Sequence, residues 1–173
     1  MSSITLLCTY HSESGICTSN ELFKILKGIE PEIIFEEIPP SFFDDYYIHR
    51  SRSNLETDAI SMYLKDRPIK HIPVDIHEVS ERFFEDNRLL HERINSRSRE
   101  YCDLIDAQTM YIRKYGFRYL NSACNVDMND KIDQAIEDAV SAMNDEMLSN
   151  IHDSWKIVME RRDSEMLNNR LVA

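Results

Sequence analysis

The sequence predicts an α/β protein, with a parallel or mixed sheet from a βαβαβ N-terminal half followed by a largely α-helical C-terminal half. Two observations lead to this prediction. Over residues 1–76, apolar runs of strand length alternate with amphipathic helical patterns. From residue 77 onward the chain becomes poor in Gly and Pro and rich in Glu, Arg and Leu, which favours long helices. We expect a single domain over 1–173, because this length suits one hydrophobic core.

The first strand and the first helix are predicted from the opening residues. The strand covers residues 4–10, a short apolar run with β-branched members. After a polar turn, Thr18 and Glu21 have the spacing of a capping box and begin a helix. Pro31 prevents the continuation of that helix. The helix has one apolar stripe, formed by Leu22, Ile25, Leu26 and Ile29.

Two further strands complete the predicted sheet. Residues 33–38 form the second strand, which the Pro39-Pro40 pair ends, and residues 71–76 form the third. Between them Asn54 caps a second helix, so the connection is long enough for parallel strands. The aromatic segment 41–52 is predicted as either a short helix or a loop over a site.

The second half is predicted as a series of helices. Residues 77–115 form two long helices with a break near Asn95. Residues 117–126 are predicted as an irregular connection, after which Asp127 caps another helix. The helical pattern then continues to the end of the chain with a break near Asn150. We therefore expect residues 77–173 to pack as the helical part of the same domain.

The charge and the apolar pattern narrow the classes of partner. The formal net charge is −11, so the chain repels phosphate backbones and we expect no nucleic-acid partner. No apolar run reaches about 18 residues, so we expect no membrane span. The opening residues lack the basic segment of a signal peptide. We therefore expect a cytoplasmic protein with four free cysteine thiols.

Polar side chains follow the ends of the three predicted strands. His11 follows the first strand, Glu36 and Glu37 close the second, and Asp75 closes the third. Ligands of parallel α/β sheets bind beyond the carboxyl ends of the strands, so these residues are candidates for one site. An imidazole there can act as a general base, and a carboxylate can orient it or share a metal with it. The alternative is a solvated sheet edge without a site.

The third predicted strand and the residue after it also contain a possible set of metal ligands. In an extended chain His71, Asp75 and His77 point to one face, as ligands of a metal would. Pro73 within the run argues against a regular strand. We expect these residues to be structural.

The stretch "CTYHSESGICTSNELFKILKGIEPEIIFEEIPP" resembles the opening of the TraB/Tiki superfamily, which includes erythromycin-esterase-like and ChaN-like proteins. That family opens with a strand ending in G-x-x-H, and His11 matches the motif histidine. Glu37 matches the site glutamate of a later Glu-Leu pair. The segment "NLETDAISMYLKDRPIKHIPVDI" is similar to the next family block, where Glu56 and Asp75 match acidic positions. "ERRDSEM" looks like the family helix whose arginine belongs to the site, and Arg162 matches it.

The resemblance implies hydrolysis of an ester or peptide bond in a small molecule or peptide. His11 would be the base or a metal ligand, and Glu37 would bind the metal or orient the water. Arg162 would stabilise the oxyanion or hold a substrate carboxylate, and Asp75 would support it. Tiki-type members imply a divalent metal, whereas erythromycin-esterase-type members imply a His-activated water without one. The sequence leaves the metal and the oligomeric state open.

Two departures from the family pattern favour an alternative function. Cys8 replaces the motif glycine, and the second G-x-x-H strand that family members carry after the arginine helix is missing. Either the sequence is cut short or half of the site is lost. In the second case we expect a non-catalytic ligand-binding or regulatory module of the same fold. A third hypothesis is an interaction protein built on the acidic helices, with Met143, Met147 and Ile151 as a dimer stripe.

Overall fold

A computed structural model describes residues 4–75 and 80–172, with side chains up to residue 169. Its strands are β1 (Ile33–Glu36) and β2 (Lys70–Pro73), and a 3-10 turn covers Pro40–Phe42. Its helices are, in chain order, α1 (Ser19–Ile29), α2 (Phe43–Tyr47), α3 (Leu55–Asp66), α4 (Glu81–Arg97), α5 (Arg99–Tyr115), α6 (Phe117–Leu120), α7 (Ala123–Met143) and α8 (Glu146–Val172).

The predicted α/β class with a βαβαβ half is wrong, because the protein is predominantly helical. Helices make up 70% of the structure, and its described part contains two short parallel strands. The predicted first strand at residues 4–10 is not a strand. Ile4 and Leu6 are 89% and 75% exposed, Leu7 is only partly buried, and no strand of the described residues pairs with this run.

The segment before α1 is instead held by the helical half of the chain. The side-chain amide of Asn121 accepts a hydrogen bond from the Cys8 N–H at 2.7 Å and donates one to the Cys8 carbonyl at 2.9 Å. Further along, the Ile16 N–H donates to the Arg113 carbonyl at 3.1 Å. Gly15 has a φ of 59°, and a Cβ there would lie 2.1 Å from the Arg113 oxygen. Only glycine therefore fits this close approach.

The two strands pair in parallel, and their ends bring the acidic residues together. Ile33 pairs with Lys70 and Glu36 pairs with Pro73. Beyond the ladder, the Val74 N–H donates to the Glu36 carbonyl at 2.9 Å. The connection between the strands contains α2 and α3, and α3 packs against α1. Of the two alternatives for the aromatic segment, the structure has the short helix, α2.

Several predicted helix starts are confirmed. The Thr18 side chain accepts a hydrogen bond from the Glu21 N–H at the start of α1. Asn54 caps α3 through a reciprocal box with Thr57, which satisfies N–H groups that the first turn leaves unpaired. The break predicted near Asn95 falls at Ser98, which ends α4 and caps α5.

Two predicted boundaries in the second half are wrong. The region predicted as irregular, 117–126, contains α6 and the start of α7, so Asp127 lies inside a helix. The break predicted near Asn150 falls at Asn144, whose φ of 47° is left-handed. The Asp145 side chain accepts hydrogen bonds from the N–H groups of Met147 and Leu148. This cap begins α8 earlier than the apolar pattern indicated.

The buried side chains form two clusters. The first joins α1 and α3 to the end of α5 and to α6, and it includes Leu22, Leu55 and Phe117. The second joins α4, α5, α7 and the start of α8, with Leu90 and Ile94 among its members. Helix α8 extends from the second cluster to the end of β2. Within the described residues, no helix is long and apolar enough to cross a membrane.

Candidate functional site

The last strand residue of β1 and the residue after it point to different partners. Glu36 is 4% exposed and contacts His71 and Tyr47. Glu37 is exposed and contacts Arg162 of α8. This split follows from the alternation of side chains along a strand. One strand end therefore contributes a carboxylate to each of two clusters.

Arg162 joins Glu37 to Asp75. Its Nε donates to Asp75 Oδ1 at 3.0 Å and its Nη2 donates to Asp75 Oδ2 at 2.7 Å. The same Nη2 donates to Glu37 Oε1 at 2.8 Å. The hydrogen bond to Asp75 raises the pKa of Arg162 against the effect of burial, and Glu37 adds to the rise. The guanidinium is thus a fixed cation in a fork geometry that a carboxylate pair matches.

His11 pairs with Glu56 in the first turn of α3. Its Nδ1 lies 3.0 Å from Glu56 Oε1, which also accepts a hydrogen bond from the Thr9 hydroxyl at 2.9 Å. The Leu55 N–H donates to the His11 carbonyl at 3.1 Å, which fixes the backbone over the helix start. The histidine side chain is 70% exposed, so the ring is accessible from solvent.

The charges of Glu37 and Arg162 act on His11. The hydrogen bond to Glu56 raises the pKa of His11, and burial opposes it. The charges of Glu56 and Glu37 also raise this pKa, whereas Arg162 lowers it. His11 is therefore within the field of Glu37 and Arg162. The four residues selected from the sequence, His11, Glu37, Asp75 and Arg162, occupy one region of the fold.

Glu56 is a member of this site that strand ends alone did not reveal. Burial raises its pKa, but hydrogen bonds from His11, its own backbone and Thr9 outweigh burial, so the net shift is downward. Its Oε2 is buried and accepts no hydrogen bond from the described residues. The signal in the sequence was its place two residues after the Asn54 cap. A helix start collects N–H groups that stabilise a carboxylate.

A second histidine–carboxylate pair lies beside the first. His71 Nδ1 is 2.5 Å from Glu36 Oε1, and the Tyr47 hydroxyl donates to Glu36 Oε2. The His71 ring packs against Phe43 and Tyr47, with centroid distances of 4.9 and 4.5 Å. Burial raises the pKa of Tyr47, and the charge of Glu36 raises it further. Sequence analysis missed this cluster because spacing does not show which strand residues meet across a ladder.

The donor set does not fit the divalent metal that the Tiki-type resemblance implies. Over residues 4–75 and 80–172, no three His, Cys, Asp or Glu side chains converge as ligands. Glu37 is paired with Arg162, whose positive charge would repel a metal dication. In the alternative set, His71 and Asp75 contact different partners, and His77 lies outside the described residues.

The likeness to known proteins was tested at three levels. Comparison of the chain with protein-family models, with curated proteins and with solved structures found no match. The resemblance to the TraB/Tiki superfamily therefore depends on the sequence motifs alone and stays a prediction.

Proposed function

We propose that the protein is a hydrolase of the TraB/Tiki type, in which His11 assists the attack of water on an ester or peptide bond. The observation that carries the proposal is the 3.0 Å contact between His11 Nδ1 and Glu56, within the field of Arg162. A general base needs a pKa near the working pH and a partner that fixes its ring. The Glu56 carboxylate fixes the ring and raises the pKa of His11.

The reaction follows from the roles of the four charged groups. Glu56 holds the Nδ1 proton, so the Nε2 lone pair of His11 takes a proton from water while the hydroxide bonds to the carbonyl carbon. Arg162 opposes the negative charge that develops on the carbonyl oxygen. When the C–O or C–N bond breaks, its electron pair goes to the leaving group, which takes up a proton from a general acid or from water, and His11 returns its proton to solvent. Glu37 and Asp75 hold the guanidinium in place.

The charge of the site favours one class of substrate. Four carboxyl groups, those of Glu36, Glu37, Glu56 and Asp75, surround one guanidinium and two imidazoles. The net charge of the whole chain is −11. An anionic substrate would be repelled at this edge, whereas a neutral or cationic ester or peptide would not. We therefore expect faster hydrolysis of a cationic ester than of its anionic analogue at low ionic strength.

Replacement of His11 tests the proposal directly. We expect His11→Ala to lower kcat/KM for 4-nitrophenyl esters or fluorogenic peptides by at least about 100-fold, the usual contribution of a general base. The melting temperature should remain close to the original, because the side chain is largely exposed. His49→Ala is the matched control, since His49 is also exposed. An H11A protein that retains its activity would remove the proposal.

A second candidate is a non-catalytic ligand-binding or regulatory module of the same fold. It is favoured by the openness of the edge, where the side chains of His11 and Glu37 are 70% and 51% exposed. Catalysis of acyl transfer usually benefits from a site that excludes water. In this case a ligand that contacts Arg162 should raise the melting temperature without turnover, and Arg162→Lys should reduce that rise.

A further inference from the structure

The pair of Glu36 and His71 is costly for the fold, which makes it informative. Glu36 is 4% exposed, and its described partners are an imidazole and a phenol instead of lysine or arginine. A buried carboxylate with weak charge compensation costs free energy that an apolar pair at these strand positions would avoid. Such arrangements are concentrated at functional sites.

The geometry fixes both the position and the tautomer of His71. Its Nδ1 is bound to Glu36 at 2.5 Å, so in the neutral ring Nδ1 carries the proton and Nε2 carries the lone pair. Phe43 and Tyr47, both on α2, hold the His71 ring by aromatic contacts. Tyr47 in turn binds the second oxygen of Glu36. The imidazole is therefore preorganised, with Nε2 on the side away from Glu36.

This cluster adjoins the His11–Glu56 pair. Helix α2, which carries Tyr47, packs against α3, whose first turn carries Glu56. Glu36 and Glu37 are consecutive, so the cluster also borders Arg162. The two histidine–carboxylate pairs are thus connected through the contact of α2 with α3 and through the consecutive residues Glu36 and Glu37.

We propose that His71 is a second proton-transfer group of this site, which protonates the leaving group after His11 has deprotonated the water. This inference rests on the proposed hydrolase function. In the step, the C–O bond of the tetrahedral intermediate breaks, and its electron pair goes to the leaving oxygen. That oxygen takes the Nε2 proton of the protonated His71 ring, whose Nδ1 contacts Glu36. The proton on His11 then passes to solvent, and His71 regains one.

Two substrates with different leaving groups distinguish the role of His71 from that of His11. His71→Asn keeps an amide N–H near the position of Nδ1 for Glu36 and removes Nε2. The substrates are a 4-nitrophenyl ester and the ethyl ester of the same acid. A nitrophenolate leaves without protonation, whereas an alkoxide needs an acid. We expect H71N to lower kcat/KM at least about 100-fold for the ethyl ester and less than about threefold for the nitrophenyl ester.

Each outcome distinguishes the inference from the function on which it rests. H11A should lower the rate for both esters. A wild-type protein that hydrolyses neither ester overturns the proposed function and, with it, the inference. If H71N affects both esters equally, or neither, the inference alone is wrong. Circular dichroism of H71N checks that the variant is folded.

A second measurement does not depend on any variant. We expect ¹⁵N NMR of the wild-type protein above the titration of its histidines to show His71 with its proton on Nδ1. A proton on Nε2 in the neutral ring would contradict the Glu36 contact and overturn the inference.

Discussion

Glu56 controls the acid–base behaviour of His11 through one short contact. Its hydrogen bond is the largest cause of the raised pKa of His11. Because the folded-state pKa is raised, the pair stabilises the fold fully below the ordinary pKa, about 6.5. That contribution is lost as the pH rises through the folded-state value. The neutral imidazole of His11, which acts as the base in the proposed reaction, forms over the same pH interval.

The variant Glu56→Gln should separate these effects. We expect the pKa of His11 to fall, so the acidic limb of the pH–rate profile moves to lower pH. The maximal rate should also fall, because the imidazolium loses its carboxylate. Glu32→Gln is the control, since Glu32 is exposed. An unchanged acidic limb in E56Q would show that His11 is not the titrating base.

Arg162 and its neighbour Arg161 form a natural pair for a stability test. Arg162→Met removes the guanidinium partner of the buried Asp75, whereas Arg161→Met removes an exposed pair with Glu165. We expect urea denaturation to show a loss of about 2–3 kcal/mol for R162M, since its side chain still reaches solvent. The loss for R161M should be about 0.5 kcal/mol or less. Equal losses would contradict the buried contact with Asp75.

The site was predictable from sequence only in part. Glu37 and Asp75 were selected from strand ends and Arg162 from a motif, whereas His11 was selected from a strand that the structure does not have; Arg162 contacts both carboxylates. The contact of Glu36 with His71 depends on the register of a ladder, which no local pattern encodes. Such a contact also contradicts the general rule that strand interiors bury apolar residues.

At the scale of single elements, the start of α3 connects stability to the site. Asn54 caps the helix, Leu55 binds the His11 carbonyl, and Glu56 binds the His11 ring. Three consecutive residues thus define the position of the proposed base.

Removal of this cap should therefore affect both stability and rate. We expect Asn54→Ala to lower the free energy of unfolding by about 1 kcal/mol and also to lower kcat. The control is Ser80→Ala at the cap of α4, which should cost a similar free energy without affecting kcat. Thermal melts and initial rates measure the two quantities. A kcat for N54A equal to that of the wild-type protein would show that the Asn54 cap does not position the site.

The prediction of a first strand at residues 4–10 was wrong because a local pattern does not show whether a strand has a pairing partner. Residues 4–10 have the composition of a strand, but a strand needs a neighbour that satisfies its N–H and C=O groups. Here the side-chain amide of Asn121 satisfies both groups of Cys8. Helix caps were better predicted, because Thr18 and Asn54 act on N–H groups only three residues away.

At the scale of the whole molecule, buried histidines couple the helical cluster to pH. Burial lowers the pKa of His152 on α8 and of His91 on α4. A depressed folded-state pKa gives a contribution that is present above the ordinary value, about 6.5, and lost as the pH falls through the folded-state value. The charged groups that act on His152 also include Lys156, Glu137, Asp153 and Asp133.

We therefore expect His152 to lower the free energy of unfolding between pH 7 and pH 5, against the gain from the His11–Glu56 pair, and His152→Gln to remove that loss. Glutamine does not take up a proton in this pH range, so the free energy of unfolding of H152Q should depend less on pH. His49→Gln is the exposed control. Urea denaturation at several pH values measures the effect. An unchanged pH dependence in H152Q would show that His152 titrates alike in the folded and unfolded states.

The hydrogen bonds between Cys8 and Asn121 span 113 residues of chain. During synthesis, the segment that carries His11 leaves the ribosome long before its partner exists. The emerging chain can pair His11 with Leu55 and Glu56, but it cannot anchor the segment at Cys8 until the helical half has been translated and has begun to fold. Assembly of the site is consequently one of the last events of folding, and a nascent chain that ends before Asn121 is made should be inert.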